Sequence, residues 1–366
     1  MRSESNLLKL IIRAFCFCTV LAIVFISVFR ILWLWDDSYA VSSMRSFYKL
    51  PKYSLDVVYI GSSGVKEFYI APEGFVRSGV AVYPIASSMQ PSTAIPYLMD
   101  EVRKTQDPKL YLIDIRELVN ESPLWDNSIR MTTDTMKFSM NRIHLIDRLL
   151  SIYAEEQPDK KFSKWDYYFS FTTYHSRWED LREDDFTGGP VWLGYTIFDN
   201  IQDTDKPHWS RTADHFDPAP LVGHREQALN DILDYCKDLD AEVVFTCTPA
   251  LWTDQELARL ATVQSTVIDA GYTVWDLSRP EVIDQMKLDY SIDMNNDNHV
   301  NVYGAIKFTE YLSYVLREMH DLPDHRGDPA YRFWEEEDRA FREALIETTE
   351  DEEQFAFLKE KGILGE

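Results

Sequence analysis

Five short runs of β character recur along the chain with helical patterns in the intervals, and this alternation limits the fold more than any other feature. The runs are 55–60, 80–85, 110–115, Glu242–Cys247 and 272–277. After the second run, Ile95, Leu98, Met99 and Val102 recur at the three- and four-residue spacing of a helix face. Ala228, Leu229, Ile232, Leu233 and Cys236 do the same before the fourth. Thr253 and Glu256 form a T-x-x-E capping box and open a helix that Gly271 closes. A last helix is expected over 305–319. Strands separated by helices pair in parallel through crossovers, because tight hairpins serve only antiparallel neighbours. The spacing therefore predicts an α/β domain, a three-layer α/β/α arrangement around a mainly parallel sheet.

Roughly 105 residues, about 118–222, separate the third run from the fourth. A connection that long reads as a cap or lid. It holds one good helix over 136–153 and many aromatics: Trp125, Trp165, Tyr167, Tyr168, Phe169, Tyr174, Trp178, Trp192, Tyr195 and Trp209. These either form the cap's own core or stack on sugar rings through their apolar faces. Residues 321–366 read as an acidic, helix-prone tail, so the chain divides into 1–40, 41–320 and 321–366.

The first segment is an anchor by composition. Residues 14–35 are apolar apart from Arg30, 22 residues in all, and a bilayer-spanning helix needs about 20. Arg30 lies near the end, where a long side chain reaches the headgroups. Trp33 and Trp35 suit the interface, and Arg2, Lys9 and Arg13 precede the span while Asp36 and Asp37 follow it. The positive-inside rule puts the N-terminus in the cytoplasm and the rest outside. Two alternatives are a signal peptide cleaved near Ser38-Tyr39-Ala40 and a buried core helix; the length of the run favours the anchor. Cys16 and Cys18 fall inside the span, leaving Cys236 and Cys247 as the one pair that export would allow to bond.

Two segments carry chemistry. Gly61-Ser62-Ser63-Gly64 follows the first run, and ligand sites of parallel sheets lie beyond the carboxyl ends of strands. A serine on such a turn exposes its hydroxyl beside free N–H groups; the bland reading is an ordinary Gly/Ser turn. Asp293-Met294-Asn295-Asn296-Asp297-Asn298-His299 precedes the last helix. Asp297, two residues before His299, is placed to orient the imidazole as base for a serine, with Asp293 in reserve; the bland reading is a solvated turn. The same stretch mimics half a calcium loop, but Asn298 replaces the required glycine and Gly304 the bidentate glutamate. No zinc pattern occurs. His208 and Asp214-His215, in the insertion, read as surface groups.

Together, Tyr59-Ile60-Gly61-Ser62-Ser63 and Asp297-Asn298-His299-Val300-Asn301-Val302-Tyr303-Gly304 resemble the first and last blocks of the SGNH/GDSL hydrolase superfamily, over about 52–320. The style is that of its membrane-anchored, outward-facing members: the teichoic-acid D-alanylation and alginate O-acetylation proteins. The resemblance implies an SGNH-hydrolase-like fold, a nucleophile at Ser63, a base at His299 and an acid at Asp297. It further implies a cell-envelope polymer carrying acyl esters as substrate, a membrane-bound O-acyltransferase as partner, and no cofactor. The chain departs from the pattern in three places. Ala86-Ser87-Ser88-Met89-Gln90 stands where the second block has its oxyanion glycine, leaving backbone N–H groups of Ala86 or Ser87, with Gln90, to serve. Asp114-Ile115-Arg116-Glu117 replaces the third block, where Arg116 either binds an anionic group or pairs with the insertion. Asn296 occupies the position, three before the histidine, where many members carry the acid. A degenerate SGNH domain serving as a non-enzymatic accessory protein is the rival reading, favoured by these losses.

Charge excludes one class and supports the orientation. With 37 Lys+Arg against 61 Asp+Glu the net charge is −24, which disfavours nucleic acid. Residues 1–35 carry four basic and one acidic residue, +3, and 321–366 carry six and fifteen, −9, so 36–320 carries −18. The acidity belongs to the part placed outside.

Overall fold

The computed structural model describes residues 2–32, 38–187, 191–203, 211–349 and 351–363. Trp33, Trp35, Asp36, Asp37, His208 and Trp209 lie outside them.

The β runs become β1 (Val57–Gly61), β2 (Val82–Ala86), β3 (Leu110–Asp114), β4 (Glu242–Cys247) and β5 (Thr273–Asp276). All four pairings are parallel, in the order β2-β1-β3-β4-β5. Every residue of β1 and β3 is buried, as expected of parallel strands covered on both faces. The expected α/β class with a parallel sheet is what the chain adopts. From β1 the chain steps outward to β2 and then returns to β1's other side as β3. The strand order reverses there, and ligand sites of parallel sheets lie beyond the carboxyl ends of the strands at such a point.

The helices form two packed groups. Ala71–Ser78 packs on Val302–Met319 and on Arg332–Thr348, and Val302–Met319 also meets Ser63–Phe68. Arg225–Lys237 packs on Ile95–Arg103 and Arg116–Val119, which Asp254–Asp269 also meets. The capping box of Thr253 and Glu256 forms as expected. A two-stranded antiparallel ribbon, β6 (Met294–Asn296) and β7 (His299–Val300), precedes Val302–Met319.

The acidic end is helical, Arg332–Thr348 and Glu352–Glu360, but it is no loose tail. Trp334, Phe341 and Leu345 are fully buried. Phe341 meets Trp192 and Tyr195 edge-on at 5.9 and 6.0 Å, and Arg342 pairs with buried Glu73 at 2.7 Å. The charge faces water while an aromatic stripe closes the domain.

In the insertion the long helix is Met140–Glu156, opening later than expected because Ser139 caps it by accepting the Arg142 N–H. Buried Arg142 holds the insertion together. It donates to the carbonyls of Thr133 (2.6 Å), Tyr167 (2.8 Å) and Tyr168 (3.1 Å), and to the Asp134 carboxylate (2.9 Å). Asp134 also accepts from Ser170 and Tyr174. The aromatics divide: Tyr167, Tyr174, Trp192 and Tyr195 are buried, whereas Trp125, Trp165, Phe169 and Trp178 are exposed.

Near the N-terminus, Leu7–Leu32 is long and apolar enough to cross a membrane and is almost wholly uncovered by the rest of the chain. Cys236 and Cys247 are both buried free thiols, so no disulfide joins them.

Candidate active site

β1 ends at Gly61 and the chain turns at once into the helix Ser63–Phe68. That turn needs small residues. A Cβ on Gly61 would lie 2.4 Å from Val65 Cγ2 and 2.7 Å from Asp114 Cβ, and one on Gly64 would lie 2.3 Å from Thr248 Oγ1. Close packing of the turn against β3 and the end of β4 puts Ser63 at the first helical position. There its N–H has no intrahelical acceptor.

The ribbon β6–β7 brings His299 to the same spot. Its Nε2 lies 2.7 Å from Ser63 Oγ, across 236 positions of sequence. Its Nδ1 lies 2.9 Å from Asn296 Oδ1. That amide oxygen also accepts the Asn298 N–H at 3.0 Å, which identifies it as an acceptor. Nδ1 therefore carries the proton and donates, and Nε2 is free to accept from the serine hydroxyl. The ring is mostly buried. Burial, with the cations of Arg116 and Lys66 adding to it, pushes His299 down to about 2, so the imidazole is neutral at ordinary pH.

Asp297, the residue expected to orient this histidine, does not reach it. It is exposed at the ribbon's turn and accepts from Gln202 Nε2 at 2.7 Å. Asn296 is the cross-strand partner of His299 in the ribbon, so the two share a face, whereas Asp297 falls in the turn beyond the pairing. Asp293, the reserve, is fully buried but committed elsewhere: it accepts the Asp289 N–H and pairs with Lys307, each at 2.5 Å. The nearby carboxylate is Glu67, one turn along the helix from Ser63. Its Oε2 lies 4.0 Å from His299 Nδ1 and accepts from Asn295 Nδ2 at 3.2 Å. Sequence reasoning passed over Glu67, although residues four apart on a helix share a face.

The loop after β2 is clamped to the nucleophile's turn. Ala86 stands in register with Gly61. Gln90 Nε2 donates to the Gly61 carbonyl at 2.7 Å, and Ser87 Oγ pairs with Gln90 Oε1 at 3.3 Å. Lys66, itself buried, donates to Ser88 Oγ at 2.8 Å. Ser87 and Gln90 side chains are thus used in holding the loop. Met89 takes φ 52° within it, a left-handed conformation that costs a residue with a Cβ roughly 1–2 kcal/mol.

Arg116 neither pairs with the insertion nor, among the described residues, forms any ion pair. It donates to the carbonyls of Asn298 at 2.9 Å and Pro249 at 3.4 Å and lies over Trp252. It fastens the histidine's ribbon to the loop after β4. Asp114 completes this frame, accepting the N–H groups of Arg116 (3.1 Å) and Thr248 (2.9 Å); its burial raises it to about 6. Beside the β2 and β3 loops lies a shallow depression of about 20 Å³ lined by Met89, Ser92, Asn120, Trp125 and His224. His215 sits exposed on the surface, and its neighbour Asp214 pairs with Arg279 at 2.7 Å.

No protein-family model matches the chain, and no curated protein matches its sequence.

Proposed function

We propose that this protein is a membrane-anchored serine esterase or O-acyltransferase of SGNH type, acting outside the cytoplasm on acyl esters of a cell-envelope polymer. The observation that carries the reading is the 2.7 Å contact of Ser63 Oγ with His299 Nε2. It lies at the carboxyl end of β1, at the point where the strand order reverses. Two helix groups around a sheet of order β2-β1-β3-β4-β5 suit a three-layer SGNH-like domain.

Ser63 Oγ attacks the ester carbonyl carbon while its proton passes to His299 Nε2. The carbonyl oxygen becomes an oxyanion that the Ser63 N–H and the backbone of the 86–88 loop are placed to meet. Collapse breaks the ester C–O bond, and His299 returns its proton to the departing alkoxide. Water, or a polymer hydroxyl, then attacks the acyl-serine with His299 again taking and returning the proton. Asn296 holds the ring in the tautomer this requires. It brings no charge, so the carboxylate that favours the transient imidazolium is Glu67, acting at 4.0 Å. Trp125, exposed beside the loops after β2 and β3, offers an apolar face to a sugar ring. A partner membrane-bound O-acyltransferase would supply or receive the acyl group.

An accessory, non-catalytic role is the second reading, favoured by one observation: an amide, not a carboxylate, contacts His299 Nδ1. Hydrolysis of p-nitrophenyl acetate by the detergent-solubilised full chain separates the two. The esterase reading expects turnover that Ser63→Ala and His299→Ala each lower by about 100-fold or more. Equal background rates for all three proteins support the accessory reading.

A further inference from the structure

We infer that the insertion is seated in the membrane surface: its 165–178 stretch rests in the outer headgroup layer beside the spanning helix. This rests on the reading that Leu7–Leu32 spans a bilayer. The contacts then fix the insertion's depth. Phe171 packs on Phe25 and Phe29 of the spanning helix, with ring centroids 4.7 and 6.0 Å apart. Arg177, six residues on, donates to the Leu32 carbonyl at 3.2 Å. The uncharged stretch between Arg13 and Arg30 centres near position 21 or 22. At 1.5 Å per residue, Phe25 lies about 5 Å and Phe29 about 11 Å from the bilayer midplane, and Leu32 about 16 Å. The hydrocarbon half-thickness is about 15 Å. Phe171 therefore reaches below the outer hydrocarbon boundary, to between the depths of Phe25 and Phe29, while Arg177 stands at headgroup level.

The exposed side chains around these contacts are those an interface accepts. Phe138, Met140, Trp165, Phe169 and Trp178 are each more than half exposed. Phe169 stacks on Phe138 at 6.1 Å and on Trp165 at 5.9 Å, making one continuous ring surface that water alone would not favour. Aromatic rings concentrate at this depth in membrane proteins. Lys160 and Lys161, exposed just before Trp165, carry positive charge toward anionic headgroups, while Lys164 pairs with Asp147 at 2.7 Å. Glu179 and Asp180, exposed beside Trp178, limit the immersion to the headgroups, since carboxylates do not enter hydrocarbon. The Arg142 network fixes 167–170 against the rest of the insertion, so the patch is presented rigidly.

The test is nitroxide depth measurement on the full chain in nanodiscs of equal parts phosphatidylcholine and phosphatidylglycerol. Cys16 and Cys18 are replaced by alanine, while Cys236 and Cys247 are buried and do not compete for label. Single labels go at Phe169→Cys, Trp178→Cys, Leu21→Cys within the span, and Ile268→Cys, an exposed apolar position on the remote helix Asp254–Asp269. The proposal expects the ratio of oxygen to nickel-chelate accessibility to be highest at 21, intermediate at 169 and 178, and lowest at 268. Ratios at 169 and 178 equal to that at 268, with 21 deep, overturn the seating while leaving the anchor intact. An aqueous value at 21 overturns the anchor and the seating with it. Discs of pure lipid contain no partner protein, so a partner's transmembrane helix cannot produce the intermediate values.

Discussion

The amide oxygen of Asn296 lies 2.9 Å from His299 Nδ1, in the place that a triad gives to a carboxylate. Asn296→Ala removes the acceptor that selects the productive tautomer, so kcat for p-nitrophenyl acetate falls on the order of 100-fold with little change in KM. Asp297→Asn leaves both unchanged, since Asp297 faces Gln202. Steady-state kinetics of the two variants side by side check the assignment. Glu67→Gln lowers kcat in the same assay by removing the charge that favours the imidazolium.

The buried ring has a pH consequence. His299 is held neutral, with its pKa lowered to about 2 by burial and by the nearby cations. A base whose pKa is depressed keeps its acceptor form as pH falls. The kcat/KM profile therefore shows no inflection from His299 near 6.5, where an ordinary histidine titrates; an acid limb near 6 belongs to Asp114, whose carboxylate holds the Arg116 and Thr248 N–H groups. Stability has the opposite tendency. The unfolded chain takes up a proton near pH 6.5 that the folded site refuses, so His299 weakens the fold progressively below that pH, by at most about 1.4 kcal/mol per unit. Asn296→Asp places a carboxylate against Nδ1, raises the histidine and moves its own limb of the rate profile upward.

The turn that presents Ser63 tolerates no Cβ at Gly61. Gly61→Ala drives a methyl to 2.7 Å from Asp114 Cβ, within the register of β1 and β3. Overpacking of this kind costs about 1–3 kcal/mol, measurable as a lower urea midpoint with the slope unchanged.

Arg142 supports the insertion rather than the chemistry. Arg142→Ala leaves buried Asp134 with only the longer 4.0 Å pairing to Arg130, a loss of about 3 kcal/mol. Protease digestion should then cut first within 160–187 while the sheet resists.

Much of this was legible in the chain. Apart from Asp56 and Asp114, the runs at 55–60 and 110–115 are apolar because both faces of β1 and β3 are covered, and such runs between helical patterns signal that burial directly. Ser63 and His299 could be paired because one follows the first strand and the other precedes the last helix, the order in which the resembled blocks carry their serine and histidine. The acid could not be assigned that way. Spacing alone leaves Asn296 and Asp297 as rivals, and only the ribbon's pairing, which sets Asn296 opposite His299, decides which one faces the ring. Glu67 depended on a tertiary approach between Ser63–Phe68 and β7 that no local pattern records. The closing helix Arg332–Thr348 looked solvated because Glu335, Glu336 and Glu337 dominate its start, while its buried stripe is only Trp334, Phe341 and Leu345 with Asp338.

The nucleophile is tested most directly by a fluorophosphonate probe and intact-mass analysis of the full chain, followed by peptide mapping. The account predicts one adduct per chain, on the peptide containing Ser63, absent from Ser63→Ala and strongly slowed in His299→Ala. No adduct on the folded protein, or an adduct that persists in Ser63→Ala, would contradict it.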